Sequence, residues 1–366
     1  MKVLILSNAL KGSLDAYSTG SIIARTLKKA GVKAEFLPVS DGGDGIIQAI
    51  QKSDPKSTIF KTTVGDAYNR AHSAPILILK DKKTCVIETA KICGLGVLKK
   101  EDLKPLNSTS YGVGQAIKYA ASKGVKNFYI GLGGVGCNDG GAGMANALGI
   151  KFFDKKGKEI PNTTKALLKL QTIDAKSSNL KGLKFFALTD VENPILGPKG
   201  SAKVFGPQKG ATPAQVKVMD KALTDYVKVI KNDLGKDIAR VKGTGAAGAI
   251  AAGLLAFCNA KFINGAPFVL KQLRAEEKIK NADLIITTEG RLDHQTFMGK
   301  IPSYVLKTAK KYKRPTIFIC GENAIKNKKT LAAHGITEVR EIISVAKNKE
   351  DAIKNAAKLL PKLCKI

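Results

Sequence analysis

The chain has 366 residues, too many for one ordinary core and of a length that usually divides into two domains. Its 44% apolar and 25% charged residues, without a long Pro/Ser tract or tandem repeat, exclude a disordered or fibrous chain. The formal net charge is +31, yet only seven of the 61 basic residues are Arg, the Lys residues are strewn in ones and twos, and Trp is absent. That pattern favours a lysine-rich solvated surface over a nucleic-acid-binding face and biases the chain toward anionic substrates.

The first apolar run, 3–6, reads as a strand. It is too short for the core of a signal peptide. A loop over 7–13, a helix over 14–30 with Ile22, Ile23 and Leu27 on one face, and a second run over 34–39 complete a β-α-β unit. In the middle of the chain, 127–131, 151–154 and 185–189 read as strands, and 243–257 as a buried helix of small residues, too short and too weakly apolar to span a membrane. The last part repeats the opening grammar: strands over 284–288, 316–320 and 338–345, with helices over 302–311 and near 330–334. Five strands alternating with helices predict a doubly wound parallel sheet. Because the first two and last three are far apart, the expected organisation is a discontinuous α/β domain, 1–65 with 285–366, interrupted by an α/β domain at 66–284. The six cysteines form no CxxC pair, which argues against zinc and for reduced thiols, so a cytoplasmic protein is expected.

Ligands of open α/β sheets bind beyond the carboxyl ends of the strands. The residues there are Asn8, Lys11 and Ser13 after strand one, Asp41 to Gly45 after strand two, 289–293 after strand three and Gly321-Glu322 after strand four. A second candidate is 131–149, where eight of nineteen positions are glycine around Asn138-Asp139. Glycines let main-chain N–H groups converge on an anion, and a following helix adds its positive end. Close helix packing is the plainer use of such a segment, and it accounts for Gly143 and Ala145 but not for the Asn-Asp pair. Read literally, Gly131, Gly133 and Gly136 with Asp154 spell a dinucleotide fingerprint, although the pattern sits in mid-chain and runs into a second turn at 138–141. No Walker sequence, GxSxG or nucleophilic cysteine stands out, and the three histidines have no metal-binding spacing. Carboxylates, Lys/Arg and anion-cradling glycines remain, which is the equipment of phosphoryl transfer.

Lys11-Gly-Ser-Leu14, Asp41-Gly-Gly-Asp-Gly45, Thr109-Ser-Tyr-Gly112, Asn138-Asp-Gly-Gly-Ala-Gly143, Asp190-Val-Glu-Asn-Pro194, Val204-Phe-Gly-Pro-Gln-Lys-Gly210, the 243–248 glycine run and Glu289-Gly-Arg-Leu-Asp-His-Gln-Thr296 together resemble the motif series of the bacterial type I glycerate kinases, in order and over nearly the whole chain. The resemblance implies a flavodoxin-like lobe of five parallel strands interrupted by a second α/β lobe, with the active site in the interdomain cleft. It also implies ATP with Mg²⁺ as cofactors and phosphorylation of D-glycerate, expected to give 2-phosphoglycerate. The chain departs from the family at Asn8, where Asp is usual, at Val135-Gly136-Cys137, where a Ser/Thr-bearing loop is usual, and at Thr288, where Gly is usual.

The expected roles within that frame are our own inference. Lys11 and Arg291 hold the substrate carboxylate, with Ser13, Asp41 and Asp293 beside it. Asp190 orients or deprotonates the attacking hydroxyl, so that Asp190, Lys11 and Arg291 form the catalytic set. Gly133, Gly134, Asn138, Asp139, Gly140, Gly141 and Lys209 line the ATP phosphates, and Asp41 and Asp139 are candidates for Mg²⁺. The expected partners are glycerate and ATP, with neither nucleic acid nor membrane, and a homodimer is compatible with the chain. Two alternatives stay open at the level of sequence: an NAD(P)-linked oxidoreductase built on Gly131, Gly133 and Gly136, and a non-enzymatic polyanion binder.

Overall fold

Val3 to Leu6 are completely buried, as an uninterrupted apolar run requires when a parallel strand is covered on both faces. The structure is a computed structural model describing residues 1–178 and 180–366, with Lys100 described by its backbone alone. Its strands in chain order are β1 (Lys2–Ser7), β2 (Lys33–Pro38), β3 (Thr58–Gly65), β4 (Ala71–Ile78), β5 (Thr84–Glu88), β6 (Asn127–Gly131), β7 (Lys151–Phe153), β8 (Thr172–Asp174), β9 (Lys184–Leu188), β10 (Lys261–Ile263), β11 (Leu284–Leu292), β12 (Thr316–Asn323) and β13 (Glu338–Glu341).

One compact unit comprises Met1–Pro55 and Gly265–Ile366. Its sheet is parallel throughout, with order β2-β1-β11-β12-β13, the flavodoxin-like arrangement in which the order reverses beside the first strand. Val3, Ile5, Ile286 and Ile319 pack with Ile23 and Leu27 of the helix Ala16–Lys29 and with the C-terminal Leu359 and Leu360. Phe318, Cys320 and Leu292 form a second cluster with Leu306 of the helix Ile301–Lys311. Helices on two faces make the sheet doubly wound.

The other unit, Lys56–Asn264, holds a mixed six-stranded sheet, β10-β9-β6-β5-β4-β3, in which β3 and β4 run antiparallel and the other four strands run parallel. The small-residue stretch forms the helix Ala246–Cys258, whose residues divide between two cores. The chain leaves the first unit at Pro55, because β3 already pairs with β4. It returns at Gly265, because the helix Gly265–Gln272 packs on the helix Ile46–Ser53. Both points fall earlier than the boundaries read at 65 and 284.

Three elements differ from the sequence reading. The strand expected over 284–288 runs on to Leu292, paired with β12 as far as Leu292 opposite Asn323, so 289–292 and Gly321-Glu322 are strand residues rather than loops. The strand expected over 338–345 ends at Glu341 and tightens into a 3₁₀ turn. The run at 151–154 pairs with β8 in a two-stranded sheet of its own and bridges to Glu159, instead of joining the six-stranded sheet. That arrangement removes the dinucleotide reading: Asp154 does not end a strand beside β6, and its carboxylate accepts the N–H groups of Lys156 and Lys158 in its own turn.

Candidate active site

At the carboxyl edge of the five-stranded sheet, β1 and β11 bring Lys11 against Gly290. A Cβ at 290 would lie 2.9 Å from the Lys11 amide nitrogen, so only glycine lets the two chains approach this closely. The carbonyl of Gly290 presses in turn on Gly321 of β12. Lys11 and Arg291 therefore share one edge, both exposed, and their side chains make no ion pair or hydrogen bond among the described residues. Asn8 and Thr288, two positions at which the family resemblance fails, touch each other: the Thr288 hydroxyl donates to the Asn8 carbonyl at 2.6 Å, while Asn8 Oδ1 accepts the next residue's N–H.

Glu289 sits inside the same edge, its side chain 13% exposed. Oε2 accepts the Thr296 hydroxyl at 2.8 Å, and Oε1 lies 3.9 Å from the Lys300 ammonium. Burial raises its pKa, with Thr296 and Lys300 opposing and the charges of Asp41 and Asp293 adding to the rise. Asp41 is partly spent, since Oδ1 accepts the N–H of Ile301 at the start of a helix. Asp293 caps the turn His294–Phe297 by accepting the Gln295 N–H. Ser13 is turned elsewhere, donating to the Ile353 carbonyl at 2.5 Å.

In the inserted unit, Glu88 of β5 stands opposite Gly131 of β6, and Gly131 opposite Leu188 of β9, so the parallel strands end together. The residues just beyond them, Thr89, Gly133-Gly134 and Thr189-Asp190, collect at one edge. Thr89 donates its hydroxyl to the Gly131 carbonyl at 2.8 Å and fixes the start of the glycine loop. The N–H groups of Gly133 and Gly134 donate to no acceptor among the described residues, and Gly134 is exposed with φ of 59°. Asp190 is exposed and has no hydrogen bond or ion pair among those residues.

The second turn of the loop is built differently. Asp139 is fully buried, and its carboxylate accepts four donors: the Ser110 N–H at 2.7 Å, the Ser110 hydroxyl at 2.8 Å, the Gly143 N–H at 3.0 Å and the Gly141 N–H at 3.2 Å. Burial raises its pKa against the pull of those donors. Gly140 and Gly141 take φ of 67° and 76° to make the turn, with Tyr226 and the backbone of Gly253 pressed where side chains would be. Lys209, also fully buried, donates to the Cys137 carbonyl at 2.5 Å and to Asn138 Oδ1 at 3.4 Å, and burial lowers its pKa to about 8. Beside its ammonium, Ala247, Gly248 and Ala249 all take left-handed φ between 52° and 63°, a costly backbone for the two alanines.

The structure thus divides the residues selected from sequence. Lys11 and Arg291 present unengaged cations, and Gly133, Gly134 and Asp190 present unengaged groups. Asp139, Gly140 and Gly141, expected at the phosphates or the metal, form a buried brace in this structure: the Gly141 N–H donates to Asp139, and the Gly140 N–H to the Gly248 carbonyl at 3.2 Å. Asn138 and Lys209 belong to the same interior, and Ser13 and Asp293 spend their side chains on local structure. Thr296, Lys300 and Ser110 were given no role, nor was Glu289 beyond its place at the strand edge. Glu289, Thr296 and Ser110 lie inside quoted motifs, but only the length of β11 turns the glutamate into a buried edge. No group of three His, Cys, Asp or Glu residues able to hold a metal ion gathers among the described residues.

A model of the glycerate kinase family matches residues 3–365. The chain is similar to a glycerate kinase of Bacillus subtilis, 36% identical over 98% of this chain and 95% of that one. It is also similar to a glycerate 2-kinase of Escherichia coli, 36% identical over 97% and 94% respectively. A crystal structure of a putative glycerate kinase 2 from Salmonella typhimurium superposes with a TM-score of 0.81 at 34% identity, covering all of this chain and 96% of that one. On a match of this length, carried by both sequence and fold, the chain belongs to the glycerate kinase family.

Proposed function

We propose that the chain transfers a phosphoryl group from ATP to the 2-hydroxyl of D-glycerate. ATP-dependent phosphorylation of glycerate follows from the family; the 2-position is supported by the relative named a glycerate 2-kinase. In this reading Gly133 and Gly134 offer their N–H groups to the phosphates, where charge is neutralised by fixed dipoles instead of mobile side chains. Asp190 orients or deprotonates the attacking hydroxyl, and Lys11 and Arg291 hold the glycerate carboxylate, Arg291 by its planar fork. The observation carrying the proposal is the alignment of β6 and β9, which sets the Asp190 carboxylate beside the Gly133 and Gly134 N–H groups at one sheet edge, none of them with a partner among the described residues.

The described residues do not form a resident metal cage: Asp139 is saturated by hydrogen bonds and Asp41 gives an oxygen to Ile301. Mg²⁺ accordingly belongs with the nucleotide it accompanies, as this ion commonly does in kinases. The test is an assay of ATP consumption with D-glycerate, with phosphorus NMR on the product. It is expected to give 2-phosphoglycerate; 3-phosphoglycerate would reject the position, and no ATP consumption would reject the reaction.

A further inference from the structure

We propose that the outer edge of β2 carries a second anion-binding site, a cationic pocket that takes a small organic phosphate. Two adjoining cavities of about 400 Å³ each share Lys28 and Phe36. The first lies between β2 and three helices, which contribute Lys28 from Ala16–Lys29, Lys52 from Ile46–Ser53 and Lys278 from Ala275–Lys280. The second adds Arg25. β2 ends the sheet, so no further strand covers this side.

The charges in the first cavity do not balance. Glu35 is its carboxylate, and it is engaged by Lys278 at 2.5 Å. Lys28 and Lys52 have no ion pair among the described residues. Nor is Lys52 a freely moving surface chain: its ammonium lies 3.8 Å from the centre of the Phe36 ring and 5.4 Å from that of Tyr17, which stands edge-on to Phe36. Burial lowers the Lys52 pKa, the nearby Lys28 and Lys278 lower it further, and Glu35 opposes them. Two uncompensated cations over an aromatic wall, in a space of small-metabolite size, match a phosphate dianion on a short carbon body. None of the groups named is among those assigned to the kinase reaction, so the site stands independently of that assignment.

The test is acetylation of the full-length protein in phosphate-free buffer, with the labelling rate of Lys52 read by peptide mass spectrometry. Bound β-glycerophosphate is expected to hold the Lys52 ammonium in its protonated form and slow its labelling about tenfold, leaving exposed lysines elsewhere unchanged. Lys28→Gln, an exposed substitution, is expected to remove most of that protection. Equal labelling with and without the probe would overturn the proposal, as would a slowing shared by all lysines. Equal protection by citrate, or protection by a DNA duplex where β-glycerophosphate gives none, would overturn the assignment to a phosphate ester.

Discussion

Replacing Asp139 by Asn separates a buried brace from an open ligand. The carboxylate takes three donors on Oδ2 and one on Oδ1. An asparagine that keeps its carbonyl on the three-donor side must turn its NH₂ toward the Gly141 N–H, donor against donor. One charge-assisted hydrogen bond is lost and one buried N–H is stranded, a cost of about 2–3 kcal/mol. For a unit of this size that lowers the melting temperature by about 4–12 °C. The assay is thermal unfolding of Asp139→Asn beside the parent, each with and without MgCl₂. A loss of that size, independent of magnesium, is expected. A variant as stable as the parent that has lost only a magnesium-dependent gain would refute the brace and restore Asp139 as a metal ligand.

Three more outcomes follow from the geometry. Lys209 binds its proton less tightly in the folded chain than in the unfolded chain, so its stabilising contribution is present above the unfolded pKa and is lost as the pH falls toward about 8. The stability of the parent relative to Lys209→Met should therefore rise between pH 8 and pH 10.5, by on the order of 3 kcal/mol; chemical denaturation across that range checks it, and a flat difference contradicts it. Glu289 has the opposite sign, because its folded pKa is raised: its contribution is full below the unfolded value and declines as the pH rises through the folded one. Glu289→Gln should consequently gain on the parent between about pH 4 and pH 7, read as the difference between their melting temperatures at the two ends. Gly290→Ala puts a Cβ against the Lys11 backbone and should raise the KM for glycerate more than it lowers stability; an unchanged KM would detach Lys11 from the substrate.

The three central parallel strands were legible because their runs, such as Val3 to Leu6 and Ile285 with Ile286, are buried on both sides and need no tertiary information to stand out. The β3–β4 hairpin was not, since β3 alternates weakly and much of its length is exposed. The site residues divide along the same line. Lys11, Arg291 and Asp190 could be picked from position alone, because polar residues following an apolar run fall at a sheet edge. The separation of Gly133-Gly134 from Gly140-Gly141 could not, because it depends on which N–H groups meet the Asp139 carboxylate and on the approach of Tyr226, both products of packing far along the chain. Glu289 could be placed at the edge but its burial could not be foreseen, because β11 and β12 go on pairing through a polar segment.

The role of Asp190 is tested most directly by Asp190→Asn, measured as kcat for glycerate phosphorylation alongside ATP affinity and thermal stability. Since the side chain is exposed and has no partner among the described residues, the substitution should leave folding and ATP binding nearly unchanged while turnover falls about 10²- to 10⁴-fold. Turnover close to that of the parent would contradict the assignment.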